Sequence, residues 1–153
     1  MNNNWVLAIE KHKDALLNCG FKEDNILGIF VYGSQNYNLD TPTSDWDTKA
    51  IVIPTFDEIL FDKPVSKEVK VQRDDNKWEH CEVKDIREFI KMFEKQNINF
   101  IEILFTEYKW VNPKFLLLVE WYRVSEALNP QTHAANFNND LAASSSPLDK
   151  AVS

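Results

Sequence analysis

Glycine is scarce in this chain. Three glycines (Gly20, Gly28 and Gly33) serve 153 residues, where about 7% is ordinary. Neither a GxGxxG dinucleotide fingerprint nor a GxxxxGK[ST] phosphate loop can be built from them. Cysteine is nearly as rare: Cys19 and Cys81 make no disulfide framework and fit a reducing, cytoplasmic setting. The three histidines, His12, His80 and His133, form no HExxH motif, and no CxxC pair accompanies them. A structural zinc site is therefore not expected. No apolar run reaches the ~18 residues of a membrane span, and the first residues lack the basic-then-apolar order of a secretory signal. Positive charge is the last shortage. A net charge of −7 excludes a broad basic footprint for nucleic acid and suits a carboxylate site for a divalent cation.

What is present is enough for one domain. Hydrophobic residues make up 44% of the chain and aromatics 12%, which allows a buried core. Trp5, Ile9, His12 and Leu16 mark an amphipathic helix over 5–19, with Gly20 at its C-terminal stop. Residues 26–32 read as a buried strand and 46–53 as a second, ended by Pro54. Thr55 or Asp57 starts a short helical turn. Val69 and Val71 mark a third strand, Asp74-Asp75-Asn76 a turn, and 78–83 its hairpin partner. Asp85 reads as an N-cap with Glu88 at the capping-box position. Ile86, Phe89, Ile90 and Phe93 give the helix that follows its apolar stripe, and Asn97 and Asn99 break it. The run 100–105 fits either short helix or strand. Asn112-Pro113 opens a last helix. The domain is expected over 1–129 with its core at 26–110, and 130–153, rich in Asn, Ala and Ser, as a weakly ordered tail.

The chemistry is concentrated between two strands. The first ends in Gly33-Ser34; ten residues later the second begins with Asp45-Trp46-Asp47. Aspartates at i and i+2 of a strand share a face, ~6–7 Å apart. Such a pair can hold divalent ions, which lie ~3.5–4 Å apart in two-metal phosphoryl-transfer sites. Gly33 allows close backbone approach to a phosphate, and the Ser34 hydroxyl and nearby N–H groups can bind phosphate oxygens. Asp-x-Asp alone means little among 24 acidic residues. The ordered composite is far more specific.

That composite resembles the signature of the DNA polymerase β-like nucleotidyltransferase superfamily. Tyr32-Gly33-Ser34-Gln35-Asn36-Tyr37-Asn38-Leu39 followed by Thr43-Ser44-Asp45-Trp46-Asp47 is similar to a bacterial and phage group of predicted nucleotidyltransferases. Arg87-Glu88-Phe89, Asn97 and Glu102-Ile103-Leu104-Phe105 match that group loosely. Asn38 departs from it, standing where glycine is frequent, and the C-terminus is short for the helical substrate-binding part. The resemblance implies an α+β fold, a small mixed sheet flanked by helices. It implies transfer of a nucleoside monophosphate from a nucleoside triphosphate such as ATP to an acceptor hydroxyl, on an RNA end, a protein or a small molecule. Asp45 and Asp47 would hold Mg²⁺ or Mn²⁺, and Gly33 and Ser34 the triphosphate. The rival reading is a binding protein on the same fold, its activity lost. No membrane partner is expected.

The resemblance also calls for a third carboxylate on a later strand. Along 78–83, Glu79 shares a core-like face with Cys81 and Val83, whereas Glu82 shares a polar face with His80. Glu82 is preferred over Glu79, and Glu82→Gln is expected to stop metal-dependent turnover with the fold intact. His80 reads as a surface histidine and Glu102 as a buried, paired carboxylate. Lys63, Lys67, Lys70, Arg73 and Lys77 read as a solvated face, and Trp110, Trp121 and Tyr122 as core.

Overall fold

A computed structural model describes residues 4–37 and 44–129. The tail expected from 130 and the stretch 38–43 of the polar loop lie outside the described residues. Five strands form one mixed sheet: β1 (Ile26–Val31), β2 (Thr48–Val52), β3 (Ser66–Gln72), β4 (Trp78–Asp85) and β5 (Lys109–Val111), in the order β3-β4-β2-β1-β5. β2 and β4 run parallel; every other pair is antiparallel. The helices are α1 (Asn4–Asn18), α2 (Phe56–Leu60), α3 (Ile86–Glu94), α4 (Ile98–Phe105) and α5 (Leu116–Ala127). The α+β class read from the sequence is therefore the class observed.

Burial explains the strand patterns. β1 and β2 are buried at every position, so their apolar runs are continuous rather than alternating. α1 covers one face, packing Ile9 and Leu16 on Ile29, Val31, Ala50, Val52, Cys81 and Val83. α3, α4 and α5 cover the other, where Phe89, Phe93, Phe100, Ile103 and Val119 meet Leu27, Phe30 and Ile51. β3 lies at the sheet edge and is half exposed, with Lys67, Glu68 and Lys70 outward, a charge pattern that discourages edge pairing. Cys19 and Cys81 are both free thiols. No helix of the described residues is long and apolar enough to cross a membrane.

Local signals mostly decide the boundaries. Gly20 ends α1 at φ +95°, as a C-terminal glycine should. Asn76 takes φ +63° in the β3–β4 turn. Thr55, not Asp57, caps α2, and it forms the reciprocal capping box with Glu58. At α3 the Asp85 carboxylate accepts from the Arg87 and Glu88 amides, but the Glu88 side chain turns to Lys91 at 2.8 Å and completes no box. The run 100–105 is helix: the Asn97 side chain caps α4 by accepting from the Asn99 amide. Trp121 is the clearest correction, being 62% exposed on the outer side of α5 instead of in the core.

Gly28 shows what a strand glycine can be for. A Cβ there would sit 2.8 Å from the Phe30 ring and 3.0 Å from the Trp110 carbonyl oxygen. Phe30 is fully buried, so its ring has nowhere to go. Gly28→Ala is expected to cost about 1–3 kcal/mol, the usual range for overpacking, read as a lower urea midpoint at unchanged slope.

Candidate functional site

The turn after β1 is built around Gly33. Its φ of +87° lies where glycine is favoured, and a single 3-10 turn, Ser34–Tyr37, follows. The turn is held from beneath. Glu102 of α4 accepts from the Gly33 amide at 3.1 Å and from the Asn36 side chain at 2.9 Å through the same Oε1. Asn36 also donates to the Val31 carbonyl and accepts from the Thr106 hydroxyl at 2.6 Å. Gln35 is buried and donates to the Asp45 carbonyl. Ser34 stays exposed at the head of the turn. The Gly33 N–H, one of the donors expected to meet a phosphate, is thus taken by the protein's own carboxylate.

β2 starts beside this turn because it runs antiparallel to β1. The Tyr32 amide donates to the Asp47 carbonyl at 3.2 Å, and Asp47 Oδ1 accepts from the His80 amide at 3.0 Å. Lys49 pairs in register with Glu82 on β4, and Glu82 with Glu68 on β3. Alternation puts Lys49, His80, Glu82 and Glu68 on one sheet face, and Asp47, just before β2, lies within electrostatic reach of Tyr32 on the same side. The Tyr32 hydroxyl registers these charges. Burial pushes its pKa up to about 12, with Asp47, Glu82 and Glu68 adding to the rise.

Glu82 already has a cationic partner. Lys49, with 6% of its side chain exposed, pairs with Glu82 Oε2. Its ammonium lies over the Tyr32 ring at 4.1 Å and the Phe100 ring at 4.5 Å, a favourable place for a desolvated cation. Lys84 approaches Glu82 Oε1 at 3.5 Å. Glu82 is thus the counter-charge of a buried lysine, so Glu82→Gln is expected to lower stability as well as turnover. His80 pairs with Glu68 at 2.7 Å.

Asp45 goes elsewhere. Residues 44–47 precede β2 rather than belonging to it, so strand alternation does not bind Asp45 to the face of Asp47. Its Oδ1 meets Arg73 Nη1 at 2.8 Å, while Arg73 also donates to the Ser44 carbonyl and contacts Asp75 at 3.1 Å. Arg73 is an anchor for the Asp45 segment and not part of a solvated face. Among the described residues no group of three or more His, Cys, Asp or Glu side chains is gathered closely enough to hold a metal ion. The structure brings Asp47 and Glu82 within electrostatic reach of the Tyr32 hydroxyl, next to Gly33 in the chain, and leaves Asp45 with Arg73.

Glu79 belongs to the opposite face. It is 5% exposed, and His12 of α1 is fully buried against it. Glu79 Oε2 lies 3.1 Å from His12 Nε2, and His12 Nδ1 lies 2.8 Å from the Thr48 hydroxyl. Since an ionised carboxylate only accepts, Nε2 carries a proton and donates to Glu79, while Nδ1 pairs with the Thr48 hydroxyl. Glu79 Oε1 accepts from the Trp46 amide at 3.1 Å. Burial opposes ionisation of Glu79, but the His12 and Trp46 hydrogen bonds and the Arg73 charge outweigh it and hold the carboxyl below the usual glutamate range. Glu79 therefore fixes the backbone between Asp45 and Asp47 from below. No protein-family model matches the chain, and no curated protein matches it.

The pairing of Glu102 is read from the sequence but not its partner, and the roles of Lys49 and Arg73 are not read at all. Lys49 left a signal, a lone charge inside an otherwise apolar strand. Glu102 left one too, an acid within an apolar run, but its partner at Gly33 is 69 residues away. The anchoring role of Arg73 left none, because a hairpin rich in Lys and Arg reads as solvent-facing.

Proposed function

We propose that the chain is a metal-dependent nucleotidyltransferase of the polymerase β-like type, moving a nucleoside monophosphate from a nucleoside triphosphate to an acceptor hydroxyl and releasing pyrophosphate. The observation that carries the reading is that Asp47 and Glu82 both act on the Tyr32 hydroxyl, which directly precedes the Gly33-Ser34 turn. Carboxylate oxygens are the right donors for Mg²⁺ or Mn²⁺, so the residues suit the ion in kind; Asp45 joins them only by leaving Arg73. A divalent cation held by Asp45, Asp47 and Glu82 would neutralise phosphate charge and favour loss of the acceptor proton. The Ser34 hydroxyl and the turn amides donate to the triphosphate oxygens. The Gly33 amide takes part once Glu102 withdraws. Lys49, displaced from Glu82, is a near cation for the phosphates.

A second reading rests on the same contacts. Arg73 on Asp45, Lys49 on Glu82 and Glu102 on the Gly33 amide together make a site closed on itself, as in a binding protein that keeps the fold without the reaction. The test is incubation with each labelled nucleoside triphosphate, Mg²⁺ or Mn²⁺, and RNA, protein and small-molecule acceptors. Label transfer with equimolar pyrophosphate supports the enzyme. Absence of transfer to every acceptor, with nucleotide still bound, supports the binding protein.

A further inference from the structure

α5 is apolar on two sides. Inward, Val119 is buried and Tyr122 packs on Phe93, ring centroids 5.3 Å apart. Outward, Leu117 is 86% exposed, Trp121 62%, Val124 47% and Leu128, at the C-cap, 77%. These four positions follow i, i+4, i+7 and i+11, a single stripe along the helix. A helix with two apolar sides needs two partners, and a contiguous exposed stripe marks an interaction face. The rest of the domain supplies one partner.

We propose that a second copy of this chain supplies the other, with α5 packed antiparallel on α5 of the copy across a twofold axis. Three observations favour a copy. First, the spacing of the stripe reads the same in both directions. About an axis between Tyr122 and Arg123, Leu117 of one copy meets Leu128 of the other, and Trp121 meets Val124. A twofold interface requires such a self-complementary patch. Second, the charges beside the stripe complement themselves. Glu120 and Arg123 pair within the helix at 2.9 Å, both well exposed. The axis brings Arg123 of each copy alongside Glu120 of the other, so the pair can be exchanged between copies at the rim. Third, residues 130–153 carry only Phe137, Leu141, Leu148 and Val152 as large apolar residues, interrupted by Ser144-Ser145-Ser146-Pro147. That is four large apolar residues in 24, whereas the four of the stripe fall within 12. The inference is independent of the nucleotidyl-transfer reading.

Sedimentation equilibrium of the full chain tests it. The expected mass at high protein concentration is twice 17.9 kDa, falling toward 17.9 kDa on dilution. Leu117→Glu with Leu128→Glu should give a monomer at all concentrations with the melting temperature of dilute, monomeric wild type, since both side chains face solvent in the single chain. A wild-type protein that stays monomeric overturns the proposal and assigns the stripe to a different partner. A dimer that survives the double substitution overturns it equally. Orientation is read by oxidising a mixture of Leu117→Cys and Leu128→Cys variants, each in a Cys19→Ser background. The two variants should cross-link to each other, and self-linking of Leu117→Cys would exclude the antiparallel arrangement.

Discussion

Asp47→Asn is expected to abolish nucleotidyl transfer while leaving the protein folded. Asparagine keeps the Oδ1 that accepts from the His80 amide, so the contact between the starts of β2 and β4 survives. What disappears is the negative charge next to Tyr32 and Glu82. Charge stabilisation by a bound divalent ion supplies several kcal/mol in the transition state. At 1.36 kcal/mol per factor of ten, its loss lowers kcat by about three orders of magnitude. The measurement is pyrophosphate release under saturating Mg²⁺, beside a thermal melt that should match the wild type. Retained turnover with an unchanged melt removes Asp47 from the site. Glu82 gives a less clean experiment, because Lys49 is buried against it and substitution disturbs stability and chemistry together.

The second large effect concerns stability. Glu79→Ala leaves the buried His12 and the Trp46 amide without their acceptor. Each buried polar group left without its partner typically costs about 1–3 kcal/mol, and two are left here, so the loss is a large share of the ~5–15 kcal/mol that holds a domain together. Urea unfolding should show the loss directly. It should also show a pH signature. The folded carboxyl of Glu79 sits below its ordinary value of 4.5, so the unfolded chain binds this proton more readily. The stabilisation is then complete above that ordinary range and disappears as pH falls through the folded value. The wild type should lose stability on acidification below about pH 4.5, and Glu79→Ala should lose less over the same window. Equal acid sensitivity of the two proteins would separate the network from the pH effect.

The legible parts of this protein are those governed by near neighbours. The stop at Gly20, the cap at Asp85, the hairpin turn at Asn76 and the buried runs of β1 and β2 each follow from a few adjacent residues, and each stands in the structure. The polar face of Glu82 and the core face of Glu79 were equally readable, because alternation along a strand needs no partner. The fate of Asp45 was not. Strand alternation was extended one residue pair too far, and Arg73, arriving from the hairpin, decides where that carboxylate goes. Trp121 departs from expectation for a related reason. A large aromatic on an amphipathic helix usually points inward, yet α5 is apolar on both sides and its inner side is already occupied by Val119 and Tyr122. Composition identifies such a helix; only packing tells which side is which.

The connection between Gly33 and Glu102 bears on the order in which the molecule assembles. The turn that defines the site is fastened by a side chain 69 residues further along, and the segment between Asp45 and Asp47 rests on a carboxylate in turn bonded to His12, 67 residues before it. Contacts of such long sequence separation are made only after loop closure, and they slow folding. A chain still being synthesised therefore has both strands and the Gly33-Ser34 pair well before it has the acid that shapes them. The site takes its final form only when α4 has emerged and docked.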